Sequence, residues 1–118
     1  MAFTTKDSGK REEYDSGMVR DTNEGKARFD LLLPEGIPYK EQILTRFAEL
    51  MERGAKKYKD RNWEKAIGSE ELNRFKESAL RHIMQWYCGE DDEDHAVAVL
   101  FNIMAFEATN YKLNKNDT

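Results

Sequence analysis

The chain has 118 residues, a net charge of −4, 36% charged and 39% hydrophobic residues, a size for one domain around one core and a balance without the basic footprint of a nucleic-acid binder. Its single cysteine, Cys88, excludes an internal disulfide framework and suits a reducing cytosol. No run approaches the roughly 18 apolar residues of a membrane helix and the start lacks a signal-peptide core, so a soluble cytoplasmic protein is expected.

Residues 1–15 are polar, mixed in charge and without periodicity, which predicts a flexible, extended N-terminal arm. From Asp15 to Gly36 the chain reads DSGMVRDTNEGKARFDLLLPEG. Gly17 and Gly25 permit tight turns, with Arg20, Lys26 and Arg28 close by, and Phe29 and Leu31 to Leu33 supply an apolar anchor before Pro34. Two readings fit: an ordinary surface loop pinned by leucines, or a basic flap over an anionic ligand.

Pro38 suits the first position of a helix. That helix carries Ile43, Leu44, Phe47, Leu50, Met51, Ala55 and Tyr58 as an apolar stripe. Glu49 and Glu52 are one turn apart on it, a spacing that holds a hard cation such as Mg²⁺ and that equally describes a solvated face. The segment GAKKYKDRNWEKA, Gly54 to Ala66, sets Lys57 and Arg61 among aromatics and an amide. Such cations pair with phosphates, Asn62 can read a base edge, and the Trp63 ring can stack on a base or close the core.

Gly68 and Ser69 break and cap the chain, and Glu70 and Glu71 favour a new helix start. Leu72, Phe75, Ala79, Ile83 and Trp86 give that helix a packing face, with His82 at its border as a core residue or a functional one. Gly89 ends it. Four acids, Asp91, Asp92, Glu93 and Asp94, then lead to His95 and an almost wholly apolar run, predicting a buried helix to about Tyr111. Counted on a helix, Asp91, His95 and Asn102 share one stripe. The acids serve as a dipole-matched first turn, and His95 and Asn102 as satisfied core polars, or the stripe faces a ligand. Residues 113–118 read as a frayed tail. No internal repeat and no period-two strand pattern is present, so the expected fold is all-α, a bundle of about four helices.

Three blocks, SGMVRDTNEGKARFDLL, GAKKYKDRNW and RHIMQWYCGEDDEDHAVAVLFN, resemble the bacteriophage dATP/dGTP diphosphohydrolase N-terminal domain-like family. That family is grouped with the MazG-like all-α nucleoside triphosphate pyrophosphohydrolases. The resemblance implies a domain over residues 16–112, assembly into a dimer or tetramer, and conversion of a purine dNTP to monophosphate and pyrophosphate with Mg²⁺ or Mn²⁺. Carried over by position, Glu49 and Glu52 match the first acidic half-motif, whereas the second is replaced by Glu93-Asp94-His95. Those four carboxylates would hold the cation, with Glu52 or Glu93 as base. Lys57 and Arg61 would neutralise phosphate, joined by Lys26 and Arg28, while Asn62, Trp63 and Asn102 would hold the nucleotide. His95 would be either an orienter of ligands from behind, as Mg²⁺ favours oxygen donors, or a metal ligand itself, and His82 would orient ligands from behind. The alternative is a non-catalytic protein that sequesters a nucleotide.

Overall fold

A computed structural model describes residues 3–116. It divides into two units, one up to Leu32 and one from Leu33.

In the first unit, charge pairing and one turn build structure where no apolar alternation exists. Strand β1 (Arg11–Glu13) pairs antiparallel with β2 (Val19–Asp21), placing Arg11 opposite Asp21 and Glu13 opposite Val19. The connecting turn closes through Gly17 N–H to the Tyr14 carbonyl at 2.8 Å, and Tyr14 N–H to Met18 at 2.9 Å. Asp21 accepts bonds from the Ser8 hydroxyl and backbone, and Arg11 bridges to Asp7. Strand β1 therefore lies inside the segment expected as an unstructured arm. The all-α expectation misses this hairpin because its residues are almost all exposed and carry no core-facing alternation. Residues 1, 2, 117 and 118 of the expected arm and tail lie outside the described residues.

The second unit is helical, as expected, with three α-helices and short 3-10 turns in place of about four helices. Pro38 opens a 3-10 turn, Tyr39–Glu41, and helix α1 (Ile43–Tyr58) begins afterwards. Phe47, Leu50, Met51 and Ala55 form its half-buried side. It ends at Lys59, whose N–H bonds the Ala55 carbonyl at 2.7 Å with a positive φ of 110°. A 3-10 turn, Asn62–Lys65, then leads to buried Ala66.

Helix α2 (Ser69–Tyr87) starts behind Gly68, where the Glu71 carboxylate accepts the N–H groups of Ile67 and Gly68 at 3.2 and 3.1 Å. It stops at Gly89, whose left-handed φ of 78° lets Glu90 N–H reach back to the Gln85 carbonyl at 3.0 Å. Helix α3 (His95–Asn116) starts later than its acids suggest. Asp94 is its cap, its carbonyl bonding Ala98 N–H at 3.1 Å, and Asp91 precedes the helix. Asp91 is thus not on the stripe expected with His95 and Asn102. At the other end α3 runs past Tyr111 through part of the segment expected to fray.

Along α3 the buried residues are His95, Val97, Ala98, Asn102, Ala105 and Thr109. Apart from Val97 they recur at alternating steps of three and four, and the small Ala98, Asn102, Ala105 and Thr109 let α2 approach as the main partner of α3. On α2 the facing side runs through Leu72, Phe75, Ala79 and His82. Ile83 and Trp86, expected to pack, are 40% and 59% exposed. His82 takes the buried place instead.

Candidate functional site

Two features of the helical unit bring candidate functional side chains together. The first is a pocket of about 680 Å³ between α1, the Asn62–Lys65 turn, α2 and α3. Trp63, Phe75 and Phe101 wall it, with ring centroids 6.0 Å apart for Trp63–Phe101 and 6.4 Å for Phe75–Phe101, both edge to face. Trp63 therefore closes the core and lines the pocket at once. Six cations, Arg53, Lys57, Lys59, Arg61, Lys65 and Arg74, line it with a single acid, Glu71. Glu71 is already engaged at the start of α2. The field in the pocket favours anions.

Lys57, Arg61, Asn62 and Trp63, read from the sequence as one patch, all line this pocket. Arg61 also pairs with Glu64 at 2.8 Å. Arg53 and Arg74 were not singled out from the sequence; the spacing of Arg53 four residues before Lys57 is the signal that would have found the first. Asn102 lines a separate, smaller cavity with Phe75, Ile103 and Phe106, and its amide donates to the Ala98 carbonyl at 2.8 Å. Lys26 and Arg28 belong to the first unit, where Arg28 is held by Asp30 at 2.6 Å.

The second feature is the turn between α2 and α3. Asp94 receives two bonds from Arg46 of α1, at 2.8 and 2.7 Å. This pairing holds its carboxyl below the usual carboxylate range, with Arg53 adding to the effect. Beside it, His95 Nε2 lies 2.8 Å from Asp92, and His95 Nδ1 lies 2.9 Å from His82 Nδ1. Burial, with Arg81 and His95 nearby, lowers the His82 pKa, and the His95 bond lowers that of Asp92. Sequence reasoning put both histidines near a site but had no signal for their contact across the helix junction.

Glu49 and Glu52 lie on α1, within 3.7 Å of Lys40 and 3.1 Å of Lys56 respectively. Among the described residues the one cluster of three potential ligands is Asp92, Glu93 and His95, and Glu49 and Glu52 are not in it. Asp94, the fourth carboxylate expected to hold the cation, caps α3 opposite Arg46 and accepts a bond from that guanidinium at each of its oxygens.

The fold is helical, and its main pocket combines aromatic walls with a cationic lining. The chain belongs to the dATP/dGTP diphosphohydrolase, N-terminal family, whose model matches residues 16–118. This is the family that the three sequence blocks resemble. No curated protein and no solved structure matches the chain. Among the described residues no helix is long and apolar enough to cross a membrane.

Proposed function

We propose that the chain is a divalent-cation-dependent nucleotide pyrophosphohydrolase that cuts a purine dNTP to monophosphate and pyrophosphate. The observation that carries this reading is the pocket of about 680 Å³, aromatic on its walls and cationic at its rim, in a family named for hydrolysis of dATP and dGTP. A base stacked on Trp63 and phosphates met by Lys57 and Arg61 use both halves of that lining. Asn62 adds an amide for the base edge.

The implied cation, Mg²⁺ or Mn²⁺, fits the donor chemistry of Glu49 and Glu52 on α1, each met by a single lysine, and of exposed Glu93 before α3, all of which offer only oxygens. Asp94 is paired with Arg46. When bound, the cation would neutralise phosphate oxygens and acidify a water. The protein's own contribution is to seat the triphosphate with the pocket cations and to offer a carboxylate, Glu52 or Glu93, to take the proton of the attacking water.

A second reading has its own support: Glu49, Glu52 and Glu93 do not line the pocket, as suits a protein that sequesters a nucleotide without cutting it. A nucleotide panel with Mg²⁺ or Mn²⁺, scored for binding and pyrophosphate release in the same samples, separates the two. Release from dATP or dGTP is the expected result. In Arg61→Ala the affinity should fall by about tenfold, the scale of one charge-assisted contact. Tight binding with no release from any nucleotide would establish sequestration instead.

Self-assembly into a dimer or tetramer completes the reading. Leu80, Ile83, Met84 and Trp86 on α2 and Ile103 on α3 are each at least 40% exposed, more apolar side chains than a small monomer leaves together. Light scattering at micromolar concentration should give a multiple of the 13.8 kDa chain mass. A monomer mass would end this part of the reading.

A further inference from the structure

The turn before α3 presents donors of two kinds at one point. Asp92, Glu93 and His95 each offer an atom, and these atoms lie within 4.8 Å of one another. The two carboxylates are exposed, whereas His95 is 2% exposed. An imidazole projecting from the core thus meets acids reaching in from the surface. Behind His95 stands His82, itself 8% exposed, with the two Nδ1 atoms 2.9 Å apart. A metal-ligating imidazole is held by a hydrogen bond at its other nitrogen, which fixes both its tautomer and its orientation. His82 occupies that position.

Two ring nitrogens at this distance need one donor and one acceptor. With Asp92 accepting from His95 Nε2–H, a neutral His95 must accept at Nδ1, and His82 must donate from its own Nδ1. His82 Nε2 is then the bare nitrogen, and Arg81 approaches it at 3.5 Å. This arrangement has a counterpart with each proton moved one place along the chain. In it His95 Nε2 is bare, His95 Nδ1–H donates to His82 Nδ1, and His82 carries its proton at Nε2. Arg81 then keeps Gln85, at 3.3 Å, as its partner.

We propose that Asp92, Glu93 and His95 form a divalent-cation centre of mixed carboxylate and imidazole donors, in which His82 sets the tautomer of His95. A bound ion would take the place of the proton on His95 Nε2. That proton leaves to solvent, the His82 Nδ1 proton passes to His95 Nδ1, and His82 Nε2 takes one from solvent. One proton leaves and one enters, so neither buried ring becomes charged. Imidazole in the donor set favours Mn²⁺ or a later first-row ion over Mg²⁺, which prefers oxygen alone. The inference deepens the hydrolase reading by naming a donor set that includes His95 and Asp92, but it needs no nucleotide.

The test uses the full chain and metal ions alone. Mn²⁺ titrated under electron paramagnetic resonance should bind at least about tenfold more tightly than Mg²⁺ competes for the same site. Asp92→Asn and Glu93→Gln, both at exposed positions, should each weaken Mn²⁺ by about tenfold or more while the far-ultraviolet circular dichroism stays native. With Zn²⁺ as a diamagnetic probe, histidine ¹⁵N spectra should show His95 Nε2 metal-bound and the His82 proton moved from Nδ1 to Nε2. Unchanged Mn²⁺ affinity in both variants, or ring nitrogens that do not respond to Zn²⁺, would overturn the centre. Absence of pyrophosphate release alongside these metal effects would count against the hydrolase and leave the centre standing.

Discussion

Replacing Glu49 with glutamine is expected to lower pyrophosphate release by about a thousandfold while nucleotide affinity stays within about threefold. Glu49 stands on α1 one turn after Arg46 and one turn before Arg53, the two arginines whose charge acts on Asp94. Continuing the same stripe, Arg53 and Lys57 line the pocket. Glu49 is thus on the side of α1 that leads from the pocket towards the turn before α3. Among the described residues its one close charged partner is Lys40 at 3.7 Å, long for an ion pair, so the carboxylate is available. Glutamine keeps the size and loses the charge that a cation or a water needs. Calorimetric binding and pyrophosphate release on the same preparation check this. Full turnover in Glu49→Gln would remove Glu49 from the chemistry, and loss of affinity together with turnover would place it in nucleotide binding.

Arg46→Met is expected to cost about 2–3 kcal/mol of stability, from the lost charge-assisted bonds and the weakened helix cap, and about 10 °C in melting temperature. The two Arg46–Asp94 bonds connect the first turn of α1 to the cap of α3, both groups being partly buried. The direction of the pH dependence follows from the depressed Asp94 pKa, caused first by Arg46. Below about pH 4, the usual carboxylate range, the unfolded chain binds a proton that the native one still resists. The contribution of Asp94 is therefore complete above that range and is lost as pH falls through the native value. Thermal melts should show the gap between native protein and Arg46→Met narrowing from pH 6 to pH 3. A gap constant across that range would assign the loss to packing of the arginine stem instead of its charge.

The three helices were legible in the sequence for local reasons. The apolar stripe from Ile43 to Tyr58, the Gly68–Glu71 start and the Gly89 stop each act within a turn or two of chain. So was the gathering of Lys57, Arg61, Asn62 and Trp63, which follow one another and reach one pocket with little help from the rest. The hairpin was not legible, because its strands face no core and their register comes from one turn and a few charges. Links between distant positions were equally hidden. Arg46 finds Asp94 at a separation of 48 residues, and His82 finds His95 across a turn, through helix packing that periodicity does not encode. The same packing decided that His82 would be buried and Trp86 left outside.

Lys59 carries a further consequence. Its backbone, at φ 110° and ψ 159°, lies where glycine alone is at ease, and a side chain there costs about 1–3 kcal/mol. Its neighbour Arg61 is also left-handed, at φ 58°, and both side chains line the pocket. At these positions durability and recognition pull in opposite directions. A laboratory lineage selected for heat resistance alone would drift towards glycine at residue 59 and trade away pocket charge as it hardened, whereas a lineage selected on ligand would retain the strained turn.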